Sequence, residues 1–244
     1  MKFRILPTQK RDAYMNMALE EACLESVRDG GAPTIRLFEW AQPSITIGRF
    51  QCLTDEVDVQ AVKEDGVPIT RRITGGGAVF HETEITYSVV APQELFVNSV
   101  RKSYGQIAKP LMQALAKLGV ETRFRPLNDI VLDEKKISGN AQTRKEGVLL
   151  QHGTIIIRLD EEKMRRYLTP DKSKVSDKPF TKSDGKVMSD LAARGLTYTD
   201  VHDAVREELK KVYSAEERGW RAEELERAEE LAKKYADESW IALR

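Results

Sequence analysis

Apolar and polar residues along the chain follow two different periods. Between residues 15 and 27 the apolar and small side chains recur every three or four positions, which predicts an amphipathic helix with Asp12 as its cap and Gly30 at its stop. The same spacing predicts a helix over about 99–118 and two closing helices within about 197–240. These segments form the helical part of the expected fold.

Other runs favour strands, because they are rich in β-branched and aromatic residues and end at turn-forming residues. They are PTIRLFEW, SITIGRFQ, VPITRR, ITYSVVAP and the long segment DIVLDEKKISGNAQTRKEGVLLQHGTIII. The long segment has turn candidates at 133–134 and 146–147, so an antiparallel meander is expected. Strands and helices are mixed without regular βαβ alternation, which predicts an α+β fold. No repeat or linker divides residues 1–244, so one domain is expected.

Composition limits the location and the partners. Lys+Arg and Asp+Glu both number 39, so no net charge draws the chain to nucleic acid or to an anionic membrane. The N-terminus lacks the apolar stretch of a secretory signal, and no run reaches the roughly 18 apolar residues of a membrane span. Cys23 and Cys52 are too few for a disulfide framework or a cysteine-based zinc site. We therefore expect a cytoplasmic protein without a nucleic-acid or membrane partner.

The first chemical motif is RRITGGGAVFH, residues 71–81, directly after a predicted strand. Three successive glycines remove every Cβ from a short loop, so its N–H groups can approach an anion or a flat ligand closely. Arg71 and Arg72 can grip phosphate through forked, permanently charged donors. A tight connection flanked by two surface arginines is the alternative interpretation. The spacing matches neither a Walker loop nor the dinucleotide fingerprint.

The second motif is KKISGNA, residues 135–141. In an alternating strand Lys135 and Lys136 point to opposite faces. Lys136 then shares its face with the polar Ser138 and Asn140, while Ile137 points toward an apolar side. Lys136 is therefore the better candidate for a polar cleft, although a lysine in a strand is often a solvated edge charge.

Neighbouring positions complete this pattern. Gly139 leaves room for a ligand to lie over the strand, whereas Asp129 is as easily a turn or capping residue. His152, in QHGT, could hydrogen-bond within a pocket, although a lone histidine is more often satisfied structurally. A three-histidine zinc site would need all of His81, His152 and His202, and we reject it on those grounds.

The segments RRITGGGAVFH, NDI, KKISGNA and QHGTIII, in this order and at these separations, closely resemble the biotin/lipoate protein ligase superfamily and, within it, the lipoate-protein ligases. The resemblance extends from the first helix to roughly Leu191. It implies a mixed, mainly antiparallel sheet flanked by helices, with ATP and the acyl acid in a cleft over one sheet face.

The resemblance also implies roles for individual residues, with Lys136 as the catalytic residue that contacts both the acyl carboxylate and the α-phosphate. The implied ATP contacts are Arg72, Gly77, Ala78, Val79, Phe80 and Lys136. The implied lipoate contacts are Gly75, Gly76, His81, Lys136, Ser138 and His152. Asp129 would help to hold Mg²⁺.

These roles imply an ATP-dependent lipoate-protein ligase, which activates lipoate as lipoyl-AMP and transfers it to a lysine of a carrier domain, an E2 subunit or the glycine-cleavage H protein. A carboxylate attacking a phosphate brings two anions together, so Lys136, Arg72 and Mg²⁺ would supply positive charge. The lysine-rich stretch from Lys172 to Lys186 is expected to be a mobile lid that protects the adenylate from water, with a merely solvated surface loop as the alternative. Related ligases have a further C-terminal domain, so a separate small accessory protein is expected.

Two other functions stay open. An octanoyl or lipoyl transferase of the same fold moves the acyl group between carriers through a cysteine thioester without ATP, and NAQTRKEGVLLQHG looks close to that branch. That branch uses a cysteine in the segment before a Lys-x-x-Gly element, which is residues 136–139 here. The preceding residues 121–127 of this chain are ETRFRPL and contain no cysteine. Cys23 is expected to be a buried, inert thiol, and nothing near Cys52 marks it as a thiolate. The third function is a non-catalytic lipoate-binding module, against which Lys136 and the glycine loop argue.

Overall fold

The computed structural model describes residues 2–169 and 188–243, and the predicted lid from Lys172 to Lys186 lies outside them. In chain order the strands are β1 (Arg4–Ile5), β2 (Gln9–Arg11), β3 (Thr34–Trp40), β4 (Ser44–Ile47), β5 (Ile69–Arg71), β6 (Val79–His81), β7 (Thr83–Pro92), β8 (Arg123–Arg125), β9 (Asp129–Leu132), β10 (Lys135–Lys145), β11 (Val148–Arg158) and β12 (Glu216–Glu217). The helices are α1 (Ala13–Arg28), α2 (Leu53–Glu56), α3 (Val59–Glu64), α4 (Val100–Lys117), α5 (Glu161–Tyr167), α6 (Tyr198–Tyr213), α7 (Ala222–Ala236) and α8 (Glu238–Ile241).

The ends of the long helices follow from local capping chemistry. The Asp12 carboxylate accepts a backbone N–H of the first turn of α1, and Gly30 adopts a φ of 91° just beyond its last turn, as predicted. The Ser99 hydroxyl caps α4 in the same way. Thr197 and Asp200 form a reciprocal capping box at the start of α6. The predicted helices over 15–27 and 99–118 are thereby confirmed.

Within the described residues the strands form two sheets. The large sheet has the order β12-β1-β3-β7-β11-β10-β9-β8, with β2 also paired to β3, and all its pairings from β3 to β8 are antiparallel. β1, β2 and β12 join it in parallel. The small sheet has the order β5-β4-β6. The predicted meander is β9-β10-β11, whose turns at 133–134 and 146–147 have positive φ. The expected α+β class with a mixed, mainly antiparallel sheet is confirmed.

Different layers cover the two faces of the large sheet. On one face, called the core face, α4 and α6 bury Leu111 and Val205 in one apolar cluster with Val89 of β7. Full burial of one such side chain stabilises the fold by about 1.5–3 kcal/mol. On the other face, called the cleft face, α1 packs with Leu24 against Leu150 of β11, and α7 lies against α1. The small sheet lies on the same side, where His81 of β6 stacks on Trp40 of β3 and where β4 and β5 contact α1.

None of the helices in the described ranges has both the length and the apolar character needed to cross a membrane.

Candidate active site

The glycine loop, residues 74–77, connects β5 to β6 and packs closely against two strands. Gly76 has a φ of 93°, and a Cβ added there would lie 3.7 Å from the Cβ of Ala141 in β10. A Cβ added to Gly48, just after β4, would lie 2.1 Å from the carbonyl oxygen of Gly76. Glycine at position 48 therefore allows the loop to pack against β4, and glycine at position 76 leaves room for the Arg72 guanidinium, which a Cβ would approach to 2.9 Å. The predicted approach of the loop to an anion or a flat ligand stays a prediction.

Arg72 directs its guanidinium onto the backbone of the glycine loop. Its Nη2 donates to the carbonyl oxygens of Gly75 and Gly77, both at 2.7 Å, and its Nη1 donates to that of Thr46 at 3.1 Å. Burial lowers the pKa of Arg72 to about 10, which still leaves it charged at neutral pH. Arg72 thus fixes the loop conformation, and its predicted contact with phosphate stays a prediction.

Arg71 fixes the same region from the opposite side. Its buried guanidinium donates to the carbonyl oxygens of Gly48 at 2.9 Å and Gln51 at 2.7 Å, and also to Ile241 of α8 at 2.7 Å. The indole N–H of Trp240 donates back to the Arg71 carbonyl at 2.8 Å. The interpretation of two surface arginines is therefore wrong, because both side chains are buried.

His81, at the end of β6, lies buried between the two sheets. Its ring stacks on Trp40 of β3 with centroids 3.9 Å apart. Nδ1 lies 2.5 Å from the Glu84 carboxylate, which can only accept, so Nδ1 is the protonated nitrogen and donates to it. In the neutral ring Nε2 then accepts from the Thr46 hydroxyl at 2.9 Å. Burial lowers the pKa of His81 despite the neighbouring Glu84 carboxylate. Both ring nitrogens have protein partners, so direct contact with lipoate stays a prediction.

His152, on the cleft face of β11, connects α1 to the glycine loop. Its Nδ1 lies 2.6 Å from the Glu20 carboxylate, and its Nε2 lies 2.6 Å from the Thr74 hydroxyl. This order resembles a Ser-His-Asp triad, but Thr74 has no exposed surface from which its hydroxyl could meet a substrate. The hydrogen bonds from Glu20 through His152 therefore hold Thr74 in place, directly before the three glycines. Sequence reasoning missed Glu20, although it falls within the apolar stripe of α1.

Lys136 lies on the cleft face, but β10 reaches that arrangement through an irregularity. Lys136 pairs with Val131 of β9, whereas Ser138 pairs with Ile130, so Ile137 is an extra residue in the strand. Such a β-bulge shifts the alternation of side chains by one position. Lys136 and Ser138 consequently lie on opposite faces of the sheet.

The prediction that Lys136 shares a face with Ser138 and Asn140 is therefore wrong. Asn140 lies on the core face, where its side-chain oxygen accepts a hydrogen bond from the hydroxyl of Tyr87. Ser138 is fully buried on the same side, opposite Ile155. A contact between Ser138 and lipoate on the cleft face has no support in this geometry, because the bulge turns the side chain away.

The residues that meet Lys136 on the cleft face are Asp129 and Gly139. Nζ of Lys136 lies 3.1 Å from Oδ1 of Asp129, whose other oxygen lies 3.4 Å from Arg125 Nη2. Asp129 is buried, whereas Lys136 keeps a quarter of its side chain exposed. A Cβ added to Gly139 would lie 2.5 Å from the same Nζ. The space that the sequence assigned to a ligand over Gly139 therefore contains the Lys136 amine.

Asp129 has a different environment from that of a typical magnesium ligand. Both of its carboxylate oxygens have a cationic partner, Lys136 or Arg125. Throughout residues 2–169 and 188–243, no three His, Cys, Asp or Glu side chains are grouped so that they could hold a metal ion. The described side chains do not fit a protein-built magnesium site, and the predicted role of Asp129 in metal binding stays a prediction.

The predicted nucleotide segment 77–80 leads into β6, which is one of the two edge strands of the small sheet. Val79 and Phe80 pair with Thr46 and Ile45 of β4. The Phe80 ring packs 5.3 Å from that of Tyr167, and Ala78 belongs to the same apolar cluster. The side chains of Ala78 and Phe80 thus pack in the apolar cluster of the small sheet, and a nucleotide contact by this segment stays a prediction.

The two cysteines of the sequence differ in environment. Cys23 of α1 is fully buried in one apolar cluster with Leu24 and Leu150, and burial raises the pKa of its thiol to about 12. Cys52 precedes the short helix α2, where its Sγ lies 3.5 Å from the hydroxyl of Thr54. Neither cysteine lies on the strands that carry Lys136 and its partners.

The sequence is similar to one protein family and to named relatives within it. A family model described as "Lipoyl protein ligase A/B catalytic domain" matches residues 12–210. The proteins named octanoyltransferase LipM from Kyrpidia tusciae and Moorella thermoacetica are 35% and 32% identical, over 98% and 99% of this chain and 97% and 98% of their own lengths.

Solved structures with the same fold are described as lipoate protein ligases and not as octanoyltransferases. A bi-partite lipoate protein ligase, solved with its E2 lipoyl domain from Thermoplasma acidophilum, superposes with a TM-score of 0.87 at 27% identity, covering 100% of this chain and 98% of that chain. A T. acidophilum lipoate protein ligase with bound lipoic acid superposes with a TM-score of 0.82 at 25% identity, covering 99% and 100%.

Proposed function

Because this chain belongs to the lipoyl protein ligase A/B catalytic domain family, we propose that it attaches a lipoyl or octanoyl group to a lysine of a carrier domain. Its relatives are enzymes by name, which argues against a non-catalytic binding module. The neighbouring ligase with its E2 lipoyl domain supports a lipoyl domain as the acceptor.

Two chemical routes lead to this product, and the observations divide between them. The names of the relatives favour transfer between carriers, an octanoyltransferase, over an adenylating ligase. The positions of the cysteines favour the ligase, because a thioester route needs an accessible thiolate. Residues 121–127, where the transferase branch has its cysteine, contain none, and the Cys23 thiol is fully buried with a pKa of about 12. Cys52 is half-buried, so it is the thiol that a transferase would have to use. We propose the ATP-dependent ligase on these positions, with the carrier-to-carrier transferase as the second candidate.

In the ligase reaction a carboxylate oxygen of the acyl acid attacks the α-phosphorus of ATP, the bond from the α-phosphorus to the bridging oxygen breaks, and pyrophosphate leaves. The acceptor lysine amine then attacks the acyl carbon of the adenylate, and AMP leaves. Positive charge held in place at the first step stabilises the in-line transition state. Lys136 is the residue that we assign to this role.

The glycine loop and its anchors would bind the substrates of this reaction. Arg72 holds the carbonyl oxygens of Gly75 and Gly77, so the loop is ordered before a ligand arrives. A preorganised loop loses less conformational freedom on binding and therefore binds more tightly. We propose that Gly75 and Gly76 border the acyl chain and that the segment from Gly77 to Phe80 borders the nucleotide.

The decisive experiment incubates the purified chain with an apo-lipoyl domain under two conditions. The first supplies Mg-ATP with free lipoate or octanoate, and the second supplies octanoyl carrier protein without ATP. Mass spectrometry follows the acyl-AMP, the modified lipoyl domain and any thioester on the enzyme. The ligase proposal requires acyl-AMP in the first condition. Product in the second condition alone, with a thioester on Cys52 or Cys23, would replace it with the transferase.

We further propose that a separate small polypeptide assists the reaction. The support is the full-length match to a ligase that is described as bi-partite. A partner that favours the closed conformation would lower the cost of excluding water from the adenylate.

A further inference from the structure

The amine of Lys136 occupies the space that a side chain at position 139 would need. A Cβ built on Gly139 would lie 2.5 Å from Nζ and 2.7 Å from Cε of Lys136. Both atoms belong to the far end of a flexible side chain. At Gly153 of the next strand, by contrast, a Cβ would also meet a backbone oxygen at 2.8 Å. A methyl group at 139 would therefore displace the lysine and leave the strand in place.

The surrounding structure directs the amine to this position. The bulge at Ile137 turns Lys136 to the face of Gly139, and Gly139 is the cross-strand neighbour of Asp129. The buried Asp129 carboxylate then attracts Nζ across Gly139 at 3.1 Å. The long lysine side chain is thus folded back along its own strand toward the cleft.

We propose that Gly139 is a positioning residue, whose missing side chain provides the seat of the Lys136 ammonium group beside Asp129. Its consequence for catalysis rests on the proposed function, whereas the position of the amine does not. Misplacement of a reacting or stabilising group by about 1 Å can lower a rate on the order of a hundredfold. A methyl group at 139 requires a displacement of that size, because ordinary carbon–nitrogen contact distances exceed 2.5 Å by about 1 Å.

The test uses Gly139→Ala in the full chain, with Gly219→Ala as the matched control. A Cβ added to Gly219 has no atom of the described residues within 4 Å, and neither glycine has a positive φ. Two quantities are measured for each variant. The first is kcat and KM for the release of pyrophosphate from ATP that depends on added lipoate or octanoate. The second is the rate at which dilute acetic anhydride acetylates Lys136, followed by mass spectrometry.

We expect Gly139→Ala to lower kcat on the order of a hundredfold and to change the acetylation rate of Lys136 severalfold, while Gly219→Ala changes neither. In a Lys136→Ala background, Gly139→Ala should cause no further loss, because both changes act through the same amine. Wild-type kcat and wild-type Lys136 reactivity in Gly139→Ala would overturn the proposal. So would an additional loss in the Lys136→Ala background.

The two proposals can fail separately. If the wild-type chain forms no acyl-AMP, the ligase function is wrong, yet the acetylation rate of Lys136 still tests the seat. If Gly139→Ala lowers the melting temperature far more than Gly219→Ala, Asp129→Asn provides the second variant. That substitution removes the charge that attracts Nζ and keeps the shape, so an unchanged Lys136 acetylation rate would overturn the seat.

Discussion

Lys135 and Lys136 are adjacent in sequence but have different surroundings. Lys136 pairs with the buried Asp129 on the cleft face, whereas Lys135 is exposed and lies opposite Leu132. We expect Lys136→Ala to lower adenylation by about a hundred- to a thousandfold, since loss of a preorganised charge commonly costs roughly 2.7–4 kcal/mol in the transition state. Lys135→Ala should stay close to the wild type. The release of pyrophosphate that depends on added lipoate or octanoate measures the adenylation rate of both variants.

Equal losses in the two variants would show that the face assignment is wrong. Lys136→Arg should restore only part of the rate, because the planar guanidinium is bulkier than the ammonium group. The seat over Gly139 has little space for the larger group.

His81 should make the stability of the fold sensitive to mild acid. Burial lowers its pKa in the folded chain below the ordinary value of 6.5, so below that pH the unfolded chain binds more protons than the folded chain. This contribution is fully present above pH 6.5 and is lost as the pH falls toward the lowered pKa. The melting temperature should therefore fall more in the wild type than in His81→Gln between about pH 8 and about pH 5.5. Parallel decreases in the two proteins would contradict this assignment.

Single-residue roles were predicted correctly where local sequence decides them. Asp12 is followed by a helical pattern, so its capping role is visible in the sequence. The role of Arg72 depends on carbonyl groups that the fold brings to it, and a phosphate-binding arginine has the same local sequence. The bulge at Ile137 was missed because strict alternation also describes KKISGNA.

The short C-terminal helix α8 supports the glycine loop through hydrogen bonds in both directions. The Trp240 indole donates to the Arg71 carbonyl, and Arg71 donates to the carbonyl of Ile241. Trp240→Phe should therefore accelerate hydrogen exchange at the amides of residues 72–77, since it removes a bond worth about 0.5–1.5 kcal/mol. Hydrogen exchange with mass spectrometry measures this change.

Trp220→Phe is the control for that experiment. The buried Trp220 indole nitrogen has no hydrogen-bond partner among the described residues, so this substitution removes the same ring volume without a hydrogen bond. If both variants accelerate exchange in the loop equally, α8 does not support the loop through Trp240.

At the level of helices and strands, the sequence predicted the periodic segments well. The long helices and the meander have enough turns or alternating positions for their period to be recognised, and glycines follow α1 and α4 and mark the second turn of the meander. The short helices α2, α3 and α5 were not predicted, because four to seven residues do not establish a period. The parallel pairing of β12 with β1 joins residues 4 and 216, which no local pattern indicates.

We propose that residues 1–244 form one folding unit, because the two ends of the chain are joined by a buried ion pair. Arg4 of β1 and Glu224 of α7 lie 2.5 Å apart with almost no exposed surface, and Ser26 of α1 donates to the same carboxylate. Glu224→Gln should destabilise the chain by about 3–5 kcal/mol, because it leaves the Arg4 charge buried and unpaired. Urea unfolding measures the change.

The exposed pair Lys2–Glu216 provides the comparison for this variant. Glu216→Gln should leave the unfolding midpoint unchanged, since solvent screens that pair. A single cooperative transition is expected for the wild type at every probe. Separate transitions for α7 and the large sheet would contradict one folding unit.

The adenylation rate of the whole chain, measured alone and with a candidate partner, decides whether a second polypeptide takes part in the reaction. Without the proposed partner, we expect this chain to bind lipoate or lipoyl-AMP but to adenylate slowly. Binding uses the glycine loop, which is already ordered, whereas fast adenylation also needs the closed conformation that the partner would favour. Co-expression with a candidate partner should raise the adenylation rate and give a complex on size-exclusion chromatography. Modification of the apo-lipoyl domain by the chain alone, on the order of 1 per second or faster, would make a partner unnecessary. Such a rate would mean that the glycine loop, Lys136 and the remainder of this chain suffice for both steps.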